Sequence, residues 1–441
     1  GRGFNMNKKI KKTSFAGCSA ANALTMVKWK LFVFAAIIGL FTLRPANVEA
    51  VSYTFIDIAN TNVAPFGIFG GDPSINNNGT VAFWAAQNGA FGAPAGIFTG
   101  DDDTATNVTT TIADHNTISD LTTNNFTTMQ ENPDINDNGT VVFVSNDGSA
   151  GQGVVTGSGG ATTTLYHTLG AFNNLTGNPA INNVGTSAFY GSRDSGGVGI
   201  FSGNGGPHST IVDNDTVDGG VFDVNIRRSP DINNNGTVVF NALLDGGGER
   251  ISTGIGAGTI TIVDTNTDPF SSLGDAPSIN DADTVAFQGL HNTLGQGIFT
   301  DTGGLTTIAD SEGAFSFFGE SPSINNNGLV AFRAGLDVGG QGIFTGSDPI
   351  ADLVIKTGDA LFGSTLVGLN FGHHGLNDSG QIAFRYFLAD STHGIAIASA
   401  VPAVPEPTTI VLLGIGLVGL AGAEVRRRRK KVHRKDAKER N

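Results

Sequence analysis

Val81-Ala82-Phe83 places three apolar residues in succession, directly after a polar turn-forming cluster, Asn76-Asn77-Asn78-Gly79. The same order recurs down the chain as PSINNNGTVAF (73–83), PDINDNGTVVF (133–143), PAINNVGTSAF (179–189), PDINNNGTVVF (230–240), PSINDADTVAF (277–287), PSINNNGLVAF (322–332) and HGLNDSGQIAF (374–384). A half-buried strand would alternate apolar with polar residues, so an unbroken apolar run indicates a strand covered on both faces. The first Asn of each copy falls at 76, 136, 182, 233, 280, 325 and 377. That spacing, near ~50 residues, suits one small sheet per repeat.

Two further elements recur in phase. A short Gly-flanked strand follows each motif, as in GIFTG (96–100), GIFSG (199–203) and GIFTG (342–346). A β-branched strand comes next, as in TTTIAD (109–114), TITIVD (259–264) and ADLVIK (351–356). Only six such strands lie downstream of the first motif, and the seventh, YTFIDI (53–58), precedes it. A ring reconciles the count, because the orphan strand can complete the last sheet and closure leaves no exposed end. The expected fold is therefore all-β, a seven-bladed β-propeller over 51–400 with four-stranded blades and the N-terminal strand closing the last one. Its innermost strand is expected to be the short Pro-x-Ile-Asn segment. An open β-solenoid is the alternative, but it has no need of the phase shift.

The polar cluster admits two readings. Asp134-x-Asn136-x-Asn138-Gly139 and Asp231-x-Asn233-x-Asn235-Gly236 match the start of a calcium loop. The acid required at position twelve is missing, since Ser145 and Ala242 stand there. Calcium stays as the lesser reading, and no other cofactor is expected. As a turn, Asn at position i bonds backbone two residues on, and Gly takes the left-handed conformation that closes the hairpin. The structural-turn positions are Asn76 with Gly79, Asn136 with Gly139, Asn182 with Gly185, Asn233 with Gly236, Asn325 with Gly328 and Asn377 with Gly380. The fifth copy has Asn280 followed by Asp283 in place of Gly.

Residues 1–50 and 401–441 have another character. Lys28 and Lys30, a 13-residue apolar core from Leu31 to Leu43 and small residues at Val48 and Ala50 form a secretory signal peptide. It is cut after Ala50, with Met26 the expected start. At the far end a linker (401–407) leads into an apolar stretch (408–425), expected to be a transmembrane helix, and then a basic cytoplasmic tail (426–441). Between them, 51–405 carries 34 acidic and 7 basic residues. Such a surface repels nucleic acid and suits a soluble exported body. The single cysteine, Cys18, lies in the leader, so the body has neither disulfide nor thiol nucleophile.

Val404-Pro405-Glu406-Pro407, the apolar stretch and Arg426-Arg427-Arg428-Arg429 resemble the PEP-CTERM sorting signal of Gram-negative bacteria. That resemblance implies a partner, the membrane protease exosortase, and hosts that typically make exopolysaccharide. The repeated Asn-x-x-Gly-x-x-Ala-Phe core resembles the choice-of-anchor tandem repeat NxxGxxAF-containing proteins, which implies a surface location and no known reaction.

No phosphate loop, nucleophile elbow or His-x-x-x-His helix occurs. His373 and His374 are adjacent, and on a strand their side chains would point to opposite faces, poorly placed to share a metal. Inter-blade segments hold Phe126, Phe172, Phe222, Phe270, Phe315, Phe317, Phe318 and Phe362, which either stack on sugars or cover blade edges. The expected function is non-enzymatic: a structural, glycan-binding or partner-binding component of the envelope or matrix, associated with exopolysaccharide. The alternative is a carbohydrate-active hydrolase or lyase, which needs paired carboxylates at the ring's centre.

Overall fold

A computed structural model of the chain describes residues 51–401, apart from 64, 88–94, 102–108, 118–124, 149–150, 217–219 and 257, together with 426–427. It is a seven-bladed β-propeller. Blade 1 is a meander of Phe66–Ile75, Val81–Gln87, Ala95–Gly100 and Thr110–Asp114, all antiparallel. Blades 2–6 repeat this order, with second strands at Val141–Asn146, Ser187–Arg193, Val238–Leu244, Val285–His291 and Val330–Leu336. Blade 7 takes Ser364–Asn370, Ile382–Leu388 and His393–Ala400 from the end of the ring and its outer strand, Tyr53–Asn60, from the beginning. Pairing is antiparallel from Tyr53↔Ala400 to Asn60↔Gly394, with a bulge between Asp57 and Ala59. Closure by the orphan strand is thus as the repeat phase predicts.

The inner strand is longer than the Pro-x-Ile-Asn segment. In blade 1 it runs from Phe66 to Ile75 with its register broken between Gly70 and Ser74, and in blade 3 from Phe172 to Ile181 with a break between Thr176 and Ala180. Elsewhere the excursion splits it in two, as in Phe270–Leu273 and Ser278–Ile279. The motif proline has no N–H for a ladder, so the chain leaves the sheet just before it. This extension buries Phe172, Phe222, Phe270, Phe315 and Phe318, and Phe126 is buried just ahead of Thr128–Met129; all line blade interfaces. Of that aromatic set only Phe317 and Phe362 are exposed.

Seven apolar clusters fill the seven blade interfaces. Val81, Phe83 and Ala85 face blade 7, packing with Ile395 and Ile397, while Ala82 faces blade 2 with Ile135 and Phe143. One strand therefore supplies alternate side chains to the two neighbouring blades, so both of its faces are buried. Edge-to-face rings recur at each large side: Phe66–Phe98, Phe172–Phe201 and Phe270–Phe299 have centroids 5.0 Å apart, and Phe315–Phe344 4.9 Å.

Candidate functional site

The seven Asn turns meet around the ring axis. In the first, Asn76 Oδ1 accepts from the N–H groups of Asn78 (3.1 Å) and Thr80 (2.9 Å), and Gly79 N donates to the Asn76 carbonyl at 3.1 Å. Gly139, Gly185, Gly236, Gly328 and Gly380 close their turns in the same way, each donating at 3.0 Å to the carbonyl of its own Asn136, Asn182, Asn233, Asn325 or Asn377. All six glycines hold positive φ, from 75° at Gly380 to 85° at Gly236, as the turn reading predicts. The fifth copy differs. Asp283 holds the same conformation at φ 59° and makes the same bond to Asn280, and its Oδ1 accepts from Asn233 Nδ2 at 2.8 Å, a bond no glycine could make.

The turns also bond to one another. Asn76 Nδ2 donates to the Asn136 carbonyl, Asn136 to Asn182, Asn182 to Asn233, Asn233 to Asn280, Asn280 to Asn325, Asn325 to Asn377 and Asn377 back to Asn76, all at 2.9–3.1 Å. A second ring lies one residue on. The N–H of Asn77 donates to Asp137 Oδ1, and the series continues through Asn183, Asn234, Asp281, Asn326 and Asp378 to Asn77 at 2.8–2.9 Å. The first position is always Asn because it must donate and accept at once. The second is always Asn or Asp because only its Oδ1 is required. That strict second position was visible in the sequence, and it signalled inter-blade bonding that a turn alone does not need.

Asn325 shows what the inner ring is worth. Its Oδ1 satisfies the N–H groups of Asn327 and Leu329, and its Nδ2 satisfies the Asn377 carbonyl. Each buried group left unpaired costs about 1–3 kcal/mol. Asn325→Ala is expected to lower the urea unfolding free energy by ~3 kcal/mol or more, while exposed Asn326→Ala costs less than ~1 kcal/mol. Equal effects would dissociate the rings from stability.

Below the turns one side chain crosses the axis. The His374 imidazole donates from Nδ1 to Asp134 Oδ1 and from Nε2 to Asp231 Oδ1, each at 3.2 Å. Blade 7 is thereby tied to blades 2 and 4. Both carboxylates also accept backbone N–H groups: Asp134 from Ile135 and Ile181, and Asp231 from Ile232 and Ile279. Burial alone would lower the His374 pKa, but the two carboxylates outweigh it and push it to about 9. Burial pushes Asp134 up to about 6, against the His374 charge. Asp231 feels the same burial, yet His374 and His373 hold it below its ordinary value. His373 is driven down to about 3 by burial and then by the His374 charge, and its Nε2 has no partner.

The strand argument for the His pair is corrected here. His373 and His374 lie in a turn closed by Gly375 N to the Gly372 carbonyl (3.0 Å), and their rings sit 3.8 Å apart, on the same side. Asp134, Asn136, Asp231 and Asn233 do converge on the axis, but each bonds to protein partners, and Asn138 and Asn235 turn outward to the Asn183 and Asp281 carbonyls. Among the described residues no group of three or more His, Cys, Asp or Glu side chains is arranged to hold a metal. The open recess at the axis measures about 140 Å³, below the roughly 300–1,000 Å³ of ligand pockets.

Arg426 and Arg427 are exposed. Ala50, Val404, Pro405, Glu406, Pro407, Arg428, Arg429 and the apolar stretch 408–425 lie outside the described residues. Among the described residues no helix is long and apolar enough to cross a membrane.

A family described as "Family of unknown function (DUF7453)" matches residues 144–365 and 371–411, more than half of the chain. The PEP-CTERM protein-sorting motif matches 403–429, which marks the protein for export and membrane-associated sorting by exosortase. No curated protein matches. Among solved structures, YCF48 from Cyanidioschyzon merolae is similar at 11% identity and a TM-score of 0.38, covering 79% of this chain and 99% of its own. TolB from Acinetobacter baumannii is similar at 10% and 0.36, covering 74% and 80%. AofleA from Arthrobotrys oligospora is similar at 10% and 0.36, covering 67% and 86%. Likenesses this distant carry no argument about function.

Proposed function

The chain belongs to the family of unknown function DUF7453, and from that premise we propose an exported, non-enzymatic propeller, delivered by its sorting tail to the envelope or matrix as a structural and glycan- or partner-binding component. The observation that carries this reading is the state of the ring's centre. Most of its polar groups are spent on one another in two closed rings and a crossing strut, around a space of about 140 Å³, with the buried His373 Nε2 left without a partner. Such a centre favours rigidity over turnover. The likeness of the repeat to the choice-of-anchor proteins agrees with a displayed surface, and the acidic body agrees with a soluble one.

The test has two arms. Cell fractionation with mass spectrometry of the mature C-terminus is expected to find the wild type cut near Pro405-Glu406-Pro407, and a triple-alanine variant of those residues uncut in the membrane fraction. Labelled host exopolysaccharide is expected to be retained by the protein, with or without calcium. Identical processing of the variant, or no retention in either condition, would sink the corresponding half.

One observation favours the enzymatic alternative. Asp134 and Asp231 flank a single imidazole, each 3.2 Å from one of its nitrogens, so their nearest oxygens are no more than about 9 Å apart, under the ~9.5 Å upper limit of glycosidase pairs. Their pKa values are pushed in opposite directions, as an acid and a base would require. An Asp134→Asn variant separates the readings. Loss of reducing-end release from host polysaccharide would establish hydrolysis, and no release by the wild type would remove it.

A further inference from the structure

The residue before each motif proline occupies the excursion of the inner strand. It is Asp72, Asn132, Asn178, Ser229, Ala276 and Ser321 in blades 1–6, and His373 in blade 7, where His374 replaces the proline. From blade 1 to blade 4 these residues form a zipper. Asp72 N donates to Asn132 Oδ1 (2.7 Å), Asn132 Nδ2 to Asn178 Oδ1 (2.9 Å) and Asn178 Nδ2 to Ser229 Oγ (2.9 Å). Ala276 and Ser321 are too short to continue it. Between blades 6, 7 and 1 a cavity of about 310 Å³ opens instead, lined by Asp72, Glu320, Ser321, Arg333, Asn370 and Phe371 among others.

This cavity is built rather than left over. A Cβ on Gly372 would lie 2.6 Å from the Asp72 Cβ, so glycine there permits the close approach that seats Asp72. Arg333 is held by Nη1 donating to Gln341 Oε1 (2.8 Å) and by the Phe317 ring beneath its guanidinium. With its amide turned so that both atoms find partners, Asn370 accepts from Arg385 Nη2 (2.6 Å) and donates to the Leu369 carbonyl. Arg385 also donates from Nη1 to the Phe69 carbonyl (2.7 Å), while its Nε is buried without a partner. Burial pushes the Asp72 carboxyl up, against the charges of Arg385 and Arg333.

We propose that the cavity between blades 6, 7 and 1 binds a single neutral pyranose ring. Its volume sits at the low end for small-ligand sites, enough for one sugar ring and not for an oligomer. Asp72 and Glu320 supply acceptors, Arg333 supplies donors and Ser321 supplies both, which matches hydroxyls that donate and accept together. Charges of both signs line the space, so the ligand need carry none. The excess of 34 acidic over 7 basic residues in the body disfavours uronate polymers. A one-ring site selects chain ends or single-sugar branches over the middle of a strand.

The inference rests on the glycan-binding half of the proposed function, and its test is separable. Saturation-transfer NMR on the full chain in detergent micelles would use glucose, galactose, mannose and N-acetylglucosamine, with glucuronate as the anionic counterpart. At least one neutral sugar is expected to receive saturation, and more than glucuronate does. Asp72→Asn, which keeps the shape, and Ser321→Trp, which fills the space, are each expected to weaken binding about tenfold or more, with circular dichroism melts reporting that each variant is folded. No transfer to any neutral sugar, a preference for glucuronate, or undiminished transfer in Asp72→Asn overturns the assignment. Retention of host polysaccharide by Ser321→Trp at the wild-type level also overturns it while leaving glycan binding elsewhere intact. A wild type that retains no polysaccharide instead removes the parent reading.

Discussion

Deleting Val51–Asn60 is expected to abolish the cooperative thermal transition of the ring. The strand buries Ile58 and Ala59 in the interface with blade 1 and packs Tyr53 and Phe55 on the cluster shared with blade 6. At about 1.5–3 kcal/mol for each large side chain fully buried, its removal costs ~5 kcal/mol or more, comparable with the whole stability of an ordinary domain at ~5–15 kcal/mol. It also strips Tyr386 of the Asp57 carboxylate, to which its hydroxyl donates at 2.9 Å, and exposes the edge of His393–Ala400. A rearranged chain separates closure from mere loss of mass. Tyr53 pairs with Ala400, and Val401 N donates to the Ser52 carbonyl at 2.8 Å, so a short Asn-Gly turn can join the two strands as a hairpin. With 51–60 moved behind residue 401, the melting temperature is expected to return to within a few degrees of wild type. A truncated protein that melts like the intact one would show that the ring does not depend on this strand.

His374→Ala is expected to be the most damaging single substitution at the axis. It leaves Asp134 and Asp231 buried without their counter-charge, a loss of roughly 3–5 kcal/mol for a broken buried pair. The effect has a pH signature. His374 has its pKa raised to about 9 in the folded protein, against an ordinary value near ~6.5, so its contribution is complete below ~6.5 and is lost as pH rises through about 9. Asp134 is raised to about 6, so its protonated form favours folding at acid pH, and that contribution is lost as pH rises through about 6. His373 is lowered to about 3, and its contribution is lost as pH falls through about 3. The melting-temperature gap between wild type and variant should therefore be widest near pH 6–6.5. It should narrow towards pH 10, as the imidazolium is lost, and below pH 6, as the carboxyls in the variant become protonated. A gap independent of pH would assign His374 a packing role alone.

How far these features could be read from sequence follows from the separation of their partners. The turn was legible because Asn76, Asn78 and Gly79 are neighbours in the chain, as are Asn182 and Gly185, Asn325 and Gly328, and Asn377 and Gly380. The inner-strand extension is marked in the sequence by the recurring pairs Phe66 with Phe69, Phe172 with Leu175, Phe270 with Leu273 and Phe315 with Phe318, all buried. That spacing assigns these aromatics to blade interfaces, not to sugar stacking. The strut left only separate traces, Asp134 and Asp231 where most other copies carry Ser or Ala and His374 where the others carry Pro, because these residues meet from across the ring.

By itself the sequence determined the repeat, its phase, the closing strand and the sorting tail, since each is written as a local pattern that must recur or terminate at a set place. Only the tertiary structure decided which side chains meet: the two hydrogen-bonded rings, the imidazole between two carboxylates and the gap where the zipper stops. Closure of the ring imposes these, because it fixes the distance between residues that the chain itself leaves unrelated, and burial then makes every unpaired polar group among them costly.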